Sequence, residues 1–320
     1  VYYSMSLRSA IIALLLIPLL IKAENTSVQE LLLDPTDSSR DRVIPIKVYL
    51  TPAETPRPVI LFSHGLGGSR NNSVYLGEYW ASHGYVAAFM QHIGSDESVW
   101  KSAPLRERLS TLKQAANLQA TLDRYQDVPF VIDQLEKWNK EESHPLQGKL
   151  DLEKIGLTGH SFGAVTTQGL MGQKFMGNRT FHDPRIDAFL PMSPSASRAI
   201  ASERAFGEIS SPVLCMTGTN DGSPIDPNQS PEPRKEVSSA MPAGDKYQLV
   251  FEGAEHSAFS DRIFPGIDQR IEHHHPAIQK ISTRFWDAYL KDDASAKAWL
   301  QSNAVRKDCH LVEKDIWEWK

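Results

Sequence analysis

Short apolar runs separated by amphipathic stretches recur along most of the chain. Residues 43–50, "VIPIKVYL", alternate as a strand does, and "VILFSHG" at 59–65 is continuously apolar, the pattern of a strand covered on both faces. The Pro-rich "TPAETPRP" between them reads as a turn. "SVYLGEYWASHG" at 73–84 has helical spacing and ends on Gly84, where a helix stop belongs, and the strand "YVAAFMQH" follows at 85–92. Residues 104–140 form a long helical stretch rich in i, i+4 charge pairs, which predicts one kinked helix or two, broken near Pro129. Further on come a strand before Ser161, the helix "AVTTQGLMG", the strands "IDAFLPMS" and "SPVLCMTG", a polar link with a short helix, the strand "KYQLVFEG" and the helix "AIQKISTRFWDAYLKD". Strands alternating with helices predict an α/β fold with a mostly parallel central sheet and helices on both faces.

The N-terminus follows another pattern. Arg8 precedes a 12-residue apolar run, "AIIALLLIPLLI", and small Ala23 stands before polar residues, the arrangement of a cleavable secretory signal. The run is short of the ~20 residues that a spanning helix needs, so no stable membrane association is expected once the signal is removed. The expected organisation is a signal peptide at 1–23, a loose segment at 24–42, one domain at 43–302 and a C-terminal tail at 303–320. A secreted or periplasmic location follows.

Composition narrows the function classes. With 41% hydrophobic and 23% charged residues the chain is globular in type, and a net charge of −5 with no long Lys or Arg run argues against a nucleic-acid partner or an anionic lipid surface. Of the two cysteines, Cys215 lies in an apolar strand and Cys309 in the tail; an exported chain allows a disulfide between them but does not require one.

The candidate chemistry centres on "KIGLTGHSFGAV", residues 154–165. A hydrolytic serine has to be lifted clear of the sheet beside main-chain N–H groups, and G-x-S-x-G between a strand and a helix does this through a sharp turn at a helix N-terminus. Ser161 is therefore the candidate nucleophile, against the plainer reading of a capping serine in a Gly-rich turn. Its base is expected downstream. His256, in "VFEGAEHSAFSD", directly follows a strand; the run His273-His274-His275 is the rival and reads more simply as the start of a helix. For the acid that orients the imidazole, Asp221 follows the strand at 212–217, whereas the strand before it ends "FLPMSPS" with no carboxylate; Asp226 is the fallback. The main-chain N–H groups of Phe162 and Leu66 are the expected oxyanion donors, with His64 bracing the loop that carries Leu66. His92 and Trp100, in "QHIGSDESVWKSA", are candidates for lining a substrate pocket. No ligand spacing for a metal is evident, and no metal site is expected.

"SHGLGGSRNNSVYLGEYWASHGYVAAFMQHIGSD", "LTGHSFGA", "TGTNDG", "GAEHSAF" and "FWDAYLKDDASAKAWL", taken in order, resemble the α/β-hydrolase superfamily, in particular exported bacterial proteins known as predicted dienelactone hydrolases, and are similar also to platelet-activating-factor acetylhydrolases. The resemblance spans about 43–302. It implies the α/β-hydrolase fold and a serine carboxylic-ester hydrolase that uses no cofactor and takes a small-molecule ester of small to medium size. Dienelactone hydrolases have a cysteine where Ser161 stands, and the acetylhydrolases carry their acid one strand earlier. An amidase or peptidase, a polyester hydrolase and a non-catalytic binding protein on the same fold are the alternatives.

Overall fold

The computed structural model describes residues 27–197, 199–226, 230–261 and 271–320; the expected signal peptide lies outside them. In chain order the strands are β1 (Gln29–Leu33), β2 (Thr36–Asp37), β3 (Arg42–Val43), β4 (Ile46–Leu50), β5 (Arg57–Ser63), β6 (Val86–Met90), β7 (Leu150–His160), β8 (Ala188–Met192), β9 (Val213–Asn220), β10 (Lys246–Glu255) and β11 (Ile316–Trp319). The α-helices are α1 (Val74–Ser82), α2 (Ser98–Lys101), α3 (Arg108–Ala115), α4 (Leu118–Lys140), α5 (Phe162–Leu170), α6 (Ser202–Phe206), α7 (Pro233–Ser239), α8 (His274–Leu290), α9 (Ala294–Leu300) and α10 (Ala304–Asp308).

Nine strands form one sheet in the order β1-β4-β6-β5-β7-β8-β9-β10-β11. From β6 to β10 all neighbours are parallel, while β4 and β1 at one edge and β11 at the other are antiparallel additions. The period of two in the apolar residues builds a core on each face. Ile60 and Phe62 of β5 and Leu214 and Met216 of β9 face one core, where α1 and α8 bring Trp80, Ile281, Phe285 and Trp286. Val59, Leu61, Val213 and Cys215 face the other, against Val128, Val131, Ile132 and Leu135 of α4. This is the mostly parallel α/β architecture that the pattern predicts and the α/β-hydrolase fold that the resemblance implies.

Four expectations need revision or receive an answer. The segment 24–42 is not loose where it is described: Gln29–Leu33 pair with β4, with Leu31 and Leu33 packed on the core, Leu32 outward and Glu30 bonded to Lys47 at 2.8 Å. The tail likewise contains α10 and β11, whose Trp317 stacks on Tyr247 at 5.8 Å. The break in 104–140 falls at Asn117, which caps α4 by accepting from Ala120 N–H at 2.9 Å; Pro129 lies inside the helix. Proline removes one intrahelical hydrogen bond, but the buried apolar face of α4 keeps the helix continuous past it to Lys140. Cys215 and Cys309 are free and buried in the cores on opposite faces of the sheet, so they do not pair.

Candidate active site

Parallel strands deliver their C-terminal ends to one edge, and the residues singled out in the sequence follow those ends: His64 after β5, Ser161 after β7, Asp221 after β9 and His256 after β10. Ser161 has φ 59° and ψ −114°, a conformation that non-glycine residues adopt only at a cost of roughly 1–3 kcal/mol. Its N–H is held by the Met192 carbonyl at 2.9 Å. The turn closes so tightly that a Cβ at Gly163 would lie 1.8 Å from the Ser63 carbonyl oxygen, and one at Gly159 would lie 2.5 Å from the Gly163 main chain. Both glycines of the pentapeptide are thus sterically required.

Ser161 Oγ lies 2.8 Å from His256 Nε2, and His256 Nδ1 lies 2.7 Å from Asp221 Oδ1. A carboxylate only accepts, so the imidazole proton sits on Nδ1 and Nε2 accepts from the serine hydroxyl. Asp221 is buried, which opposes its charge, but the hydrogen bond and charge of His256 together with the Arg234 guanidinium outweigh burial and hold its carboxyl below the usual range. Its Oδ2 accepts from Thr217 Oγ1 at 2.8 Å. The His273–His275 run stands elsewhere: His273 bonds Asp315 at 3.0 Å and His275 stacks on Tyr75. Asp226 N–H donates to Ser223 Oγ, and the carboxylate that reaches His256 is that of Asp221. Among the described residues no group of three or more His, Cys, Asp or Glu is arranged to hold a metal ion.

The loop carrying Leu66 lies against the serine: a Cβ at Gly65 would stand 3.4 Å from Ser161 Cβ. The Leu66 N–H belongs to the peptide whose carbonyl is that of Gly65, and this carbonyl accepts from His64 Nδ1 at 2.6 Å and from Gly68 N–H at 3.0 Å. His64 Nε2 in turn accepts from the His92 N–H at 3.0 Å, which fixes the tautomer. Peptide planarity means that holding the carbonyl also aims the N–H. Trp100, partly buried, donates its indole N–H to the Gly67 carbonyl at 2.8 Å and so fastens the same loop.

His92 does not line an open pocket. It is fully buried, with Nδ1 2.9 Å from Asp127 Oδ2 and Nε2 2.9 Å from Ser63 Oγ. Burial, aided by the nearby charge of Arg124, pushes its pKa down to about 4 and keeps it neutral. The loop position that suggested a pocket residue is real, but the ring turns inward to a carboxylate on α4. A cleft of about 760 Å³ lined by Arg40, Arg42, Ile93, Gln119 and Asp123, among others, contains none of Ser161, Asp221 and His256.

Three neighbours of the site are not singled out from the sequence. His160 donates from Nε2 to the His256 carbonyl at 2.9 Å; burial and the adjacent His256 hold its pKa down to about 3. Arg124, buried on α4, donates to the His64 carbonyl at 2.7 Å and lies over the Phe162 ring, its pKa lowered to about 9 by burial. Arg234, buried on α7, reaches the loops after β8 and β9 and lies against Asp221 and His256. His160 occupies the variable position beside the serine, which is a weak hint. Nothing local distinguishes either arginine from a surface cation on a helix.

The family model described as platelet-activating factor acetylhydrolase, isoform II, matches residues 40–131. Platelet-activating factor acetylhydrolases from Cavia porcellus and Bos taurus are each 28% identical to this chain, over 137 and 140 residues; each match covers 34% of this chain and 30% of the relative. The chain therefore aligns with less than a third of the length of these curated relatives. A ferulic acid esterase from Streptomyces cinnamoneus superimposes with a TM-score of 0.60 at 19% identity, covering 84% of this chain and 92% of that one, a likeness of fold. The resemblance to platelet-activating-factor acetylhydrolases is borne out over part of the chain, and the α/β-hydrolase fold over most of it.

Proposed function

We propose that the chain is a serine carboxylic-ester hydrolase acting on small to medium esters, and that Ser161, His256 and Asp221 are its nucleophile, general base and orienting acid. The observation that most supports this reading is the position of His256, whose two ring nitrogens span Ser161 Oγ and Asp221 Oδ1 at 2.8 and 2.7 Å while the serine is held in a strained, partly exposed turn.

In this mechanism Ser161 Oγ attacks the acyl carbon as His256 Nε2 takes its proton. The imidazolium is stabilised by Asp221, which stays ionised. Charge accumulates on the carbonyl oxygen, where the N–H groups of Phe162, at the first turn of α5, and Leu66 receive it. Each such donor is typically worth ~3 kcal/mol of barrier. His256 then protonates the leaving alcohol, and a water activated by the same imidazole releases the acid from the acyl-enzyme. We also infer export, from the Arg8–Ala23 pattern; among the described residues no helix is long and apolar enough to cross a membrane.

The test is hydrolysis of p-nitrophenyl esters from acetate to palmitate by the wild type beside Ser161→Ala. The expected result is a rate that falls with chain length and drops at least ~10⁴-fold in the variant. A variant that keeps its rate would overturn the mechanism. A wild type inactive on every ester would move the search to amides and polymers.

A further inference from the structure

Arg234 is 4% exposed. Its Nε donates to the Asp221 main-chain carbonyl at 2.6 Å, Nη1 donates to the Ser193 and Pro194 carbonyls at 2.8 and 3.0 Å, and Nη2 donates to the Gly222 carbonyl at 3.2 Å. Four carbonyls from the loops after β8 and β9 are thus gathered by one planar fork. The same guanidinium pairs with Asp221 Oδ1 at 3.1 Å and comes within 3.3 Å of His256 Nδ1. That nitrogen already donates its proton to Asp221, so the approach to it is a close contact between two donors rather than a hydrogen bond.

We propose that Arg234 is a positioning residue for hydrolysis: it fixes the Asp221 loop, and its buried charge sets the pH below which the Ser161–His256–Asp221 unit takes up a proton and stops working. The proposal rests on the reading of those three residues as the reacting group. A fixed cation beside a histidine–carboxylate pair opposes a second positive charge on that pair. Among the described residues, His160 from β7, which stays neutral, and Arg234 from α7, which stays charged, face the pair. Against its burial the carboxylate is kept ionised by His256 first and by this contact in addition. Arginine suits this place because it satisfies several carbonyls in one plane while remaining charged in a buried site; lysine supplies the charge without the fork.

The experiment is the pH dependence of kcat/KM for wild type, Arg234→Gln and Arg234→Lys, with Ser161→Ala alongside. Arg234→Gln is expected to move the acid limb of the profile upward by about one pH unit. Arg234→Lys is expected to leave the limb in place and to lower kcat roughly ten-fold through loss of the carbonyl bonds. A limb that stays put in Arg234→Gln, or moves as far in Arg234→Lys, overturns the proposal and leaves Arg234 a simple brace. Should Arg234→Gln not fold, Arg234→Met takes its place, with the same upward shift expected and an unmoved limb overturning the proposal. Activity persisting in Ser161→Ala would instead defeat the underlying reading of the site.

Discussion

Among the described residues two serine–histidine–aspartate relays stand side by side. In one, Ser161 Oγ, His256 and Asp221 are linked at 2.8 and 2.7 Å; in the other, Ser63 Oγ, His92 and Asp127 are linked at 2.9 and 2.9 Å with the same tautomer. They nearly touch, since the Ser63 carbonyl is the atom against which Gly163 closes the turn at Ser161. Their surroundings differ. Ser63, His92 and Asp127 are all fully buried, and Asp127 is clasped by Arg40 and Arg42 at 2.9 and 2.8 Å. Ser161 sits in a strained turn at a helix N-terminus, and the His256 side chain remains 15% exposed. Hydrogen-bond geometry therefore does not single out a nucleophile. Access for an acyl group, a helix N-terminus beside the hydroxyl and a partly exposed imidazole separate a relay suited to chemistry from one that locks a loop.

Exchanging the serines is expected to give the largest contrast. Whereas Ser161→Ala removes the proposed attacking atom, Ser63→Ala should leave kcat within about ten-fold of wild type and cost about 1–3 kcal/mol of stability, because His92 Nε2 loses its partner in a dry site. Esterase assays and thermal melts on the two variants separate the relays; a Ser63→Ala protein as inactive as Ser161→Ala, yet folded, would erase the distinction. The acids should divide in the same way, less steeply. Asp221→Asn is expected to cut kcat by ~10³–10⁴ with the fold intact. Asp127→Asn is expected to lose about 3–5 kcal/mol of stability, since Arg40 and Arg42 then face each other across a neutral amide. Circular dichroism melts and kcat measured on both proteins would show a double dissociation, and its absence would mean that the two carboxylates share one role.

The sequence makes the first relay legible and hides the second. A glycine-flanked serine between a strand and a helix, followed by an acid and a histidine each at the end of a later strand, is a local pattern repeated in chain order, and parallel strands convert that order into proximity. Ser63, His92 and Asp127 are ordinary residues in a strand, a loop and a helix. Only the packing of α4 against the sheet brings them together, so His92 looks like a pocket residue until its ring direction is known. Arg124 and Arg234 are hidden for the same reason: burial of a lone cation depends on which carbonyls the tertiary fold gathers around it. The edge strands Gln29–Leu33 and Ile316–Trp319 were missed on other grounds. An edge strand buries one face and pairs on one side, so four or five residues with one or two apolar contacts suffice, too short a pattern to stand out from a polar segment.

Acid pH offers the finest discrimination between the relays, because it should act on stability through one and on rate through the other. The buried His92 has a folded pKa of about 4, and His160 and His274 are held at about 3 and about 4, against an ordinary value near ~6.5 in the unfolded chain. Above ~6.5 neither state binds these protons and stability is at its full value. As pH falls from there toward about 4, the unfolded chain takes up protons that the folded one refuses, so stability declines, and it levels off once the folded imidazoles titrate as well. For His92 alone the loss is on the order of 3 kcal/mol. Asp127, held below the usual carboxylate range by His92 and Arg42 despite its burial, adds its own loss only at still lower pH. Thermal melts between pH 7 and 4.5 should therefore show a falling Tm in the wild type and a flatter trend in His92→Gln, whose amide can donate to Asp127 and accept from Ser63 without titrating. An equally steep fall in His92→Gln would place the acid sensitivity in His160, beside Ser161, and His274, and the second relay would then be no more than packing.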